Sequence, residues 1–159
     1  MGDGDDSVNS PQTPALDEIV ENFELIDDWE ERYRYLIELG RKLPPLPDEE
    51  RREEHRVRGC TSQVWLISER TGDHLSFRGD SDAHIVRGLV ALLLAACSGQ
   101  KASTILALDI DELFRRLGLE SHLSVSRRNG FFSMVSLIRA SAQEVLQAQQ
   151  SDTESSLPL

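Results

Sequence analysis

Cys60 is the residue of this sequence with the clearest capacity for chemistry. It stands in the segment Gly59-Cys60-Thr61-Ser62-Gln63, whose small and polar residues are typical of a loop. A cysteine thiolate is a nucleophile, and its ordinary pKa of about 8.5 falls when cations or backbone donors lie nearby. Glycine before the cysteine permits a tight turn and leaves room for a large partner. From these residues alone, a reactive cysteine and a cysteine that merely ends a strand are equally acceptable.

Other catalytic and metal-binding classes have little support. The sequence has no glycine-rich nucleotide motif, no Gly-x-Ser-x-Gly element and no carboxylate pair set apart from the surface acids. Two cysteines are too few for a zinc or iron–sulfur centre ligated only by cysteine within one chain. The histidines are scattered without the spacing of metal ligands. They are His55, His74, His84 and His122.

The second cysteine, Cys97, is expected to be structural. It follows the apolar run Leu92-Leu93-Leu94-Ala95-Ala96 and shares a helix face with Leu93. We therefore predict a small buried hydrophobic residue there and no disulfide with Cys60.

Composition and charge narrow the possible partners. With 159 residues, 39% hydrophobic and 28% charged, the chain fits one ordinary soluble domain. Residues 1–54 hold 17 acidic against 6 basic residues, which accounts for the whole net charge of -11. No basic stripe exists for nucleic acid. The acidic third could meet a basic protein surface or could simply be solvated, and both readings stay open.

A membrane or exported form is not expected either. The apolar run from Gly88 to Cys97 is about half the length of a membrane-spanning helix. The acidic start Met1-Gly-Asp-Gly-Asp-Asp6 lacks the basic and apolar character of targeting peptides. We therefore expect a cytoplasmic protein.

The hydrophobic periodicity predicts an α+β domain over residues 15–150, between disordered tails at 1–14 and 151–159. Two helices, the second ending near Gly40, precede a short three-stranded antiparallel sheet, and helices pack on one face of it. The predicted strands are 55–58, 63–67 and 75–78, and the later helices are 84–97, 101–108, 111–117 and 131–149.

Several sequence blocks resemble the SufE family, the sulfur acceptors that serve cysteine desulfurases in iron–sulfur cluster assembly. The most specific block is Val57-Arg-Gly-Cys-Thr-Ser-Gln-Val-Trp65. The others, in family order, are Asp28-Trp-Glu-Glu-Arg-Tyr33, Leu36-Ile-Glu-Leu-Gly40, Leu43-Pro-Pro-Leu-Pro47, Gly79-Asp-Ser-Asp-Ala83, Ile85-Val-Arg-Gly-Leu89, His122-Leu-Ser-Val-Ser-Arg127, Asn129-Gly130 and Met134. Thr61 and Val125 depart from the residues usual in the family, glutamine and proline.

The resemblance implies a SufE/IscU-like fold and a mechanism. Cys60 would take sulfur from the persulfide of a SufS-type cysteine desulfurase, stimulate its turnover and deliver the sulfur to a SufBCD-type cluster scaffold. The protein would need no cofactor, because pyridoxal phosphate belongs to the desulfurase, and no metal. It would act as a monomer or weak dimer, as an activator rather than a stand-alone enzyme, without nucleic acid or membrane.

The resemblance also implies roles for individual residues. Cys60 carries the sulfur, and Asp82 is assigned to partner binding, although an N-cap of the following helix is its simpler reading. The residues that would support the loop and its thiol are Gly59, Ser62, Gln63 and Arg127.

Three alternatives remain open from the residues. An iron–sulfur scaffold of the same fold would need several cysteines at one site. A cysteine hydrolase would need His55 or His122 within hydrogen-bonding reach of Cys60. A non-catalytic desulfurase adaptor would need neither.

Overall fold

A computed structural model describes residues 15–59 and 62–156, with side chains up to residue 151. The predicted tail at residues 1–14, the predicted sulfur carrier Cys60 and its neighbour Thr61 lie outside these residues, as do residues 157–159. No helix in the described part of the chain is long and apolar enough to cross a membrane.

Seven α-helices and one three-stranded sheet make up the described part of the chain. The helices are α1 (Leu16–Leu25), α2 (Trp29–Arg41), α3 (His84–Cys97), α4 (Ala102–Ala107), α5 (Ile110–Arg116), α6 (Leu119–His122) and α7 (Val125–Ser156). The strands are β1 (Val64–Thr71), β2 (His74–Ser81) and β3 (Gln100–Lys101), in the antiparallel order β1-β2-β3. Short 3-10 helices span Asp48–Glu50 and Glu53–His55.

The fold class is confirmed, but one strand was assigned to the wrong segment. Residues 55–58 contribute a single bridge, Arg56 to Trp65, after the 3-10 helix Glu53–His55. The third strand is instead β3, where Leu75 of the central strand pairs with Gln100. A two-residue strand shows no alternation that a sequence pattern could reveal, so no strand is predicted at Gln100, and Lys101 falls in the predicted helix 101–108.

Alternation along β2 explains why the sheet packs on the helices. Leu75 and Phe77 are buried in the core, whereas Ser76 between them is exposed. Helix α3 packs across this buried side and is itself the most apolar element, with Leu89 and Leu92 fully buried. The central helix therefore joins the sheet to the remaining helices.

Two glycines allow α2 and α3 to pack at backbone contact. Gly40, predicted to end its helix, is the penultimate residue of α2, which ends at Arg41. A Cβ at Gly88 would lie 2.2 Å from the carbonyl oxygen of Leu36, and one at Gly40 would lie 2.7 Å from the backbone nitrogen of Gly88. Neither neighbour is a flexible side-chain end, so any side chain would push the helices apart.

Gly88→Ala should therefore destabilise the protein by about 3 kcal/mol, the upper part of the usual range for overpacked cores. Urea unfolding of the variant measures this loss. Ala95→Ser, which also adds one heavy atom to α3 but at a half-buried position, should change the free energy of unfolding by much less. Equal effects of the two substitutions would contradict the close helix packing.

Candidate functional site: an anchored loop beside a cavity

Residues 58–63, the predicted loop, lie between Val57 and Val64, which pair with each other, and the positions in it that the structure describes (58, 59, 62 and 63) are in no helix or strand. The backbone N–H of Val57 donates to the carbonyl of Val64 at 2.8 Å. Val57 is 2% exposed and Val64 is fully buried, so the base of the loop is fixed in the core. This loop contains the predicted sulfur carrier.

Gly59 brings the loop close to helix α7. Its φ of +86° lies in the left-handed region that favours glycine. A Cβ at Gly59 would lie 2.9 Å from the hydroxyl of Ser133. Both the turn and the close approach therefore require glycine at this position.

Gln63 fixes the other end of the loop through its backbone. Its N–H donates to the Oδ1 of Asp82 at 3.1 Å, and its carbonyl accepts from the hydroxyl of Ser81 at 2.7 Å. The N–H of Asp82 also donates to this carbonyl at 3.2 Å. The N-cap reading of Asp82 is wrong, because Ala83 occupies that position and α3 has no side-chain cap.

Asp80 stands directly before this clamp and is a completely buried carboxylate. It accepts hydrogen bonds from the N–H groups of Leu46 at 3.0 Å and Ser81 at 2.8 Å, and from Arg51 at 2.7 Å. The guanidinium of Arg87 lies 3.1 Å away. Burial alone would raise the pKa of Asp80, but these bonds and the charge of Arg87 together hold it below its ordinary value.

A cavity of about 340 Å³ lies between the loop and the helices. Ser62 lines it from the loop, and Val86 and Leu89 line it from α3. The wall from α7 consists of Ser126, Arg127, Gly130, Phe131 and Met134, and Ser124 precedes that helix. The cavity is thus apolar at its base and polar at its rim.

Arg127 therefore shares a cavity with Ser62, although it does not lie in a loop. Helix α7 begins at Val125, six residues before the predicted start at Phe131. The hydroxyl of Ser124 accepts from the N–H of Arg127 at 3.2 Å, as an N-cap does. The residues before Phe131 are polar and show no apolar periodicity, so the pattern predicts neither a helix there nor Ser124 as its cap.

Arg127 differs in its pairing from the arginines that precede the cysteine. The guanidinium of Arg58 lies 2.9 Å from Glu53, and that of Arg56 lies 3.9 Å from the same carboxylate. Among the described residues, Arg127 makes no side-chain ion pair. Its charge is therefore available at the cavity rim.

An aromatic contact that sequence reasoning missed holds the start of α7. The ring of His122 stacks on Trp29 with centroids 3.7 Å apart and an angle of 9°. The hydroxyl of Tyr33 donates to the carbonyl of His122. Trp29 and Tyr33 belong to the block Asp28-Trp-Glu-Glu-Arg-Tyr33, but nothing in the sequence pairs them with His122, which lies far along the chain.

Cys97 lies in the core, as its apolar run predicts. It is 2% exposed, and burial raises the pKa of its thiol to about 11, while the charge of Arg139 lowers it slightly. A thiol with this pKa is almost entirely protonated at neutral pH, so it is a poor nucleophile. Elsewhere in the described ranges, no group of three or more His, Cys, Asp or Glu side chains could hold a metal ion.

Comparison with known proteins decides the family. The model of the SufE family, described as an Fe-S metabolism associated domain, matches residues 17–142. The chain belongs to the SufE family. This assigns it to iron–sulfur metabolism, with a role in sulfur transfer.

Individual relatives agree with this assignment. An uncharacterized SufE-like protein of Rhizobium etli is 54% identical over 133 residues, covering 81% of this chain and 90% of the relative. One of Rhizobium meliloti is 49% identical over 138 residues, covering 84% of this chain and 99% of the relative. The solution structure of a hypothetical protein from Thermus thermophilus has the same fold. Its TM-score is 0.68 at 22% identity, covering 86% of this chain and 98% of that one.

Asp80→Asn should destabilise this SufE-family protein by about 3 kcal/mol at pH 7, because it leaves two arginines beside a neutral group. Because the pKa of Asp80 is lowered in the folded state, its carboxylate stabilises the fold fully at pH values above the unfolded-state pKa of about 3.9. This stabilisation is lost as the pH falls through the lower, folded-state pKa. Urea unfolding between neutral and acid pH should therefore show a shallower acid loss for Asp80→Asn than for the wild type.

Asp111→Asn serves as the control, because Asp111 is exposed on α5. It should keep the acid dependence of the wild type. An Asp80→Asn protein with unchanged stability at pH 7 would contradict the role assigned to the buried carboxylate.

Proposed function

We propose that Cys60 accepts sulfur from the persulfide of a PLP-dependent, SufS-type cysteine desulfurase and passes it to a SufBCD-type cluster scaffold. The observation that carries this proposal is the cavity that Ser62 and Arg127 line together, because Ser62 follows Cys60 by two positions in the sequence. The guanidinium-bearing Arg127 and Ser62 thus line one cavity in a protein whose family acts in iron–sulfur metabolism, and this supports the proposal. We further propose a cytoplasmic protein that acts as a monomer or weak dimer.

The transfer is a thiol–persulfide exchange. The Cys60 thiolate attacks the outer sulfur of the desulfurase persulfide, and a new S–S bond forms as the old one breaks. The desulfurase cysteine leaves as a thiolate, and the proton of the outer sulfur moves with it to Cys60. Sulfur is redistributed without net oxidation, so no external oxidant or reductant is needed. The rate of such an exchange depends on the thiolate fraction, the leaving thiol and access.

Arg127 is proposed to favour the thiolate. A nearby guanidinium stabilises the charged form of a thiol and so lowers its pKa. Arg56 and Arg58 are closer in sequence, but both lie beside Glu53, which offsets their charge. This division explains why the more distant arginine is the better candidate.

The anchored ends of the loop suit a sulfur carrier. Gly59 lies close to α7, and Gln63 is hydrogen-bonded at the end of β2, so the described residues on both sides of the predicted sulfur carrier have defined neighbours. We propose that the apolar residues of the cavity shelter a persulfide on Cys60 from reductants. Asp82 is exposed beside this loop, and we propose that the desulfurase contacts it there.

Cys60→Ser should abolish stimulation of desulfurase turnover while leaving desulfurase binding unchanged, because a hydroxyl of nearly the same size cannot accept the sulfur. Sulfide or alanine production with excess cysteine measures the stimulation, and titration calorimetry measures the binding. Full stimulation by Cys60→Ser would mean that the protein activates its partner without carrying sulfur, as the adaptor alternative requires.

Cys97→Ala should retain full stimulation, since its thiol is buried and protonated. The small cavity left behind should cost about 1 kcal/mol of unfolding free energy. Turnover assays and urea unfolding of the same preparation check both statements. Loss of sulfur transfer in a folded Cys97→Ala protein would show that both cysteines take part.

A further inference from the structure

The edge of β2 that faces away from β1 is only partly covered. Backbone groups in an antiparallel strand point to alternate edges, residue by residue. On this edge the carbonyl of Leu75 accepts from the N–H of Gly99 at 2.7 Å, and the N–H of Phe77 donates to the hydroxyl of Ser98 at 2.8 Å. Gly79 is the next residue in this alternation, and no residue in the described ranges bonds to its N–H or carbonyl there. The edge is therefore unpaired at Gly79.

The segment that lies beside Gly79 does not supply this pairing. Pro44 and Pro45 line the same cavity as Gly79, and proline has no N–H to donate. The N–H of Leu46 is already donated to the carboxylate of Asp80 at 3.0 Å. Gly79 is buried, and a buried backbone group without a hydrogen bond is unfavourable. The edge is therefore suited to an additional extended chain, as in strand addition.

The cavity at this edge has a volume of about 370 Å³ and is lined mainly by apolar side chains. It shares no lining residue with the cavity of Ser62 and Arg127, so the inference does not depend on the proposed function. A short segment of polypeptide fits both the apolar walls and the unpaired backbone groups. The apolar lining residues are Ala15, Leu43, Pro44, Pro45, Leu46, Phe77, Leu94 and Ala95.

The protein's own chain leads into this cavity. Ala15 lines it and has an extended backbone, with a φ of -64° and a ψ of 154°. Pro14 precedes Ala15, and Pro11 stands three positions before Pro14. Proline restricts its own φ and directs the residue before it to extended conformations, so the sequence favours an extended segment at residues 11–14. Four extended residues span about 13 Å, which is enough to cross a cavity that Ala15 and Gly79 both line.

We propose that residues 11–14 bind in this cavity as an extended segment on the open edge of β2, with the backbone of Gln12 or Thr13 paired to Gly79. Gln12 and Thr13 are the two residues of this segment that have an N–H to donate. The expectation of a disordered tail then applies to residues 1–10 alone. A sheet edge covered by another part of the same chain is closed to pairing with a neighbouring molecule. The segment thus acts as an intramolecular cover that prevents edge-to-edge association.

The test is amide hydrogen exchange at Gly79, measured by NMR in the full chain. The double variant Gln12→Pro/Thr13→Pro removes both N–H donors but keeps the segment extended. Exchange at Gly79 should become about tenfold faster than in the wild type, because the hydrogen bond that holds the segment on the strand edge is lost. The control Ser7→Pro/Asn9→Pro also adds two prolines, but outside residues 11–14, and should match the wild type.

Contacts of the segment are measured directly in the wild-type protein. Nuclear Overhauser effects should connect the methyl group of Thr13 or the ring of Pro14 with the side chain of Leu94 or Ala95, which line the cavity from α3.

Two results would each overturn the inference. Exchange at Gly79 that is equal in the wild type and in the Gln12→Pro/Thr13→Pro variant, or the absence of any contact between the segment and the cavity, would leave the cavity to solvent. Protection of Gly79 that increases with protein concentration would assign the open edge to a second copy of the chain.

Discussion

The arrangement of the site depends on one buried charge, the carboxylate of Asp80. An isolated carboxylate in a protein interior is strongly unfavourable, so it must be paired and hydrogen-bonded. Asp80 meets this requirement by joining the segment after α2 through Leu46, the connector through Arg51 and the central helix through Arg87. Three separate parts of the chain thus converge on the end of β2.

The residues that follow Asp80 carry this constraint to the loop. Ser81 and Asp82 occupy both backbone groups of Gln63, so the last anchor of the loop is fixed by the same end of β2. A buried ionic cluster gives little net stability compared with apolar packing. In this protein the main effect of the Asp80 cluster is on position, because it determines where Gln63 lies relative to α7.

Helix α7 forms one wall of the cavity, and contacts other than those of Asp80 position the start of this helix. The stacking of His122 on Trp29 and the bond from Tyr33 position the residues that lead into α7. Ser124 then caps the helix, and Arg127 is placed at the cavity rim. The family block that contains Trp29 and the block that contains Arg127 therefore meet in space, although they lie far apart in sequence.

The sequence predicts the parts of this protein that follow local rules. The alternation at Leu75 and Phe77 and the apolar run before Cys97 led to a correct strand, a correct helix and a correct buried thiol. Asp82 shows where such local rules fail. Its residue type and position suit an N-cap, but its carboxylate accepts a hydrogen bond from Gln63, a contact that strand register determines. The predicted start of α7 is too late because the first turn of the helix, which Ser124 caps, is polar. No strand is predicted at β3 because two residues are too few to show an alternation. The block around Cys60 predicts where the candidate site lies in the sequence, whereas the cavity and the Asp80 cluster arise from tertiary contacts that no local pattern contains.

The most direct test is intact-protein mass spectrometry after incubation with a PLP-dependent cysteine desulfurase and free cysteine, without reductant. The proposed function predicts a mass gain of one or more sulfur atoms that a thiol reductant reverses and that Cys60→Ser does not show. No mass gain in a protein that measurably binds the desulfurase would contradict sulfur acceptance and would indicate an adaptor built on the same fold.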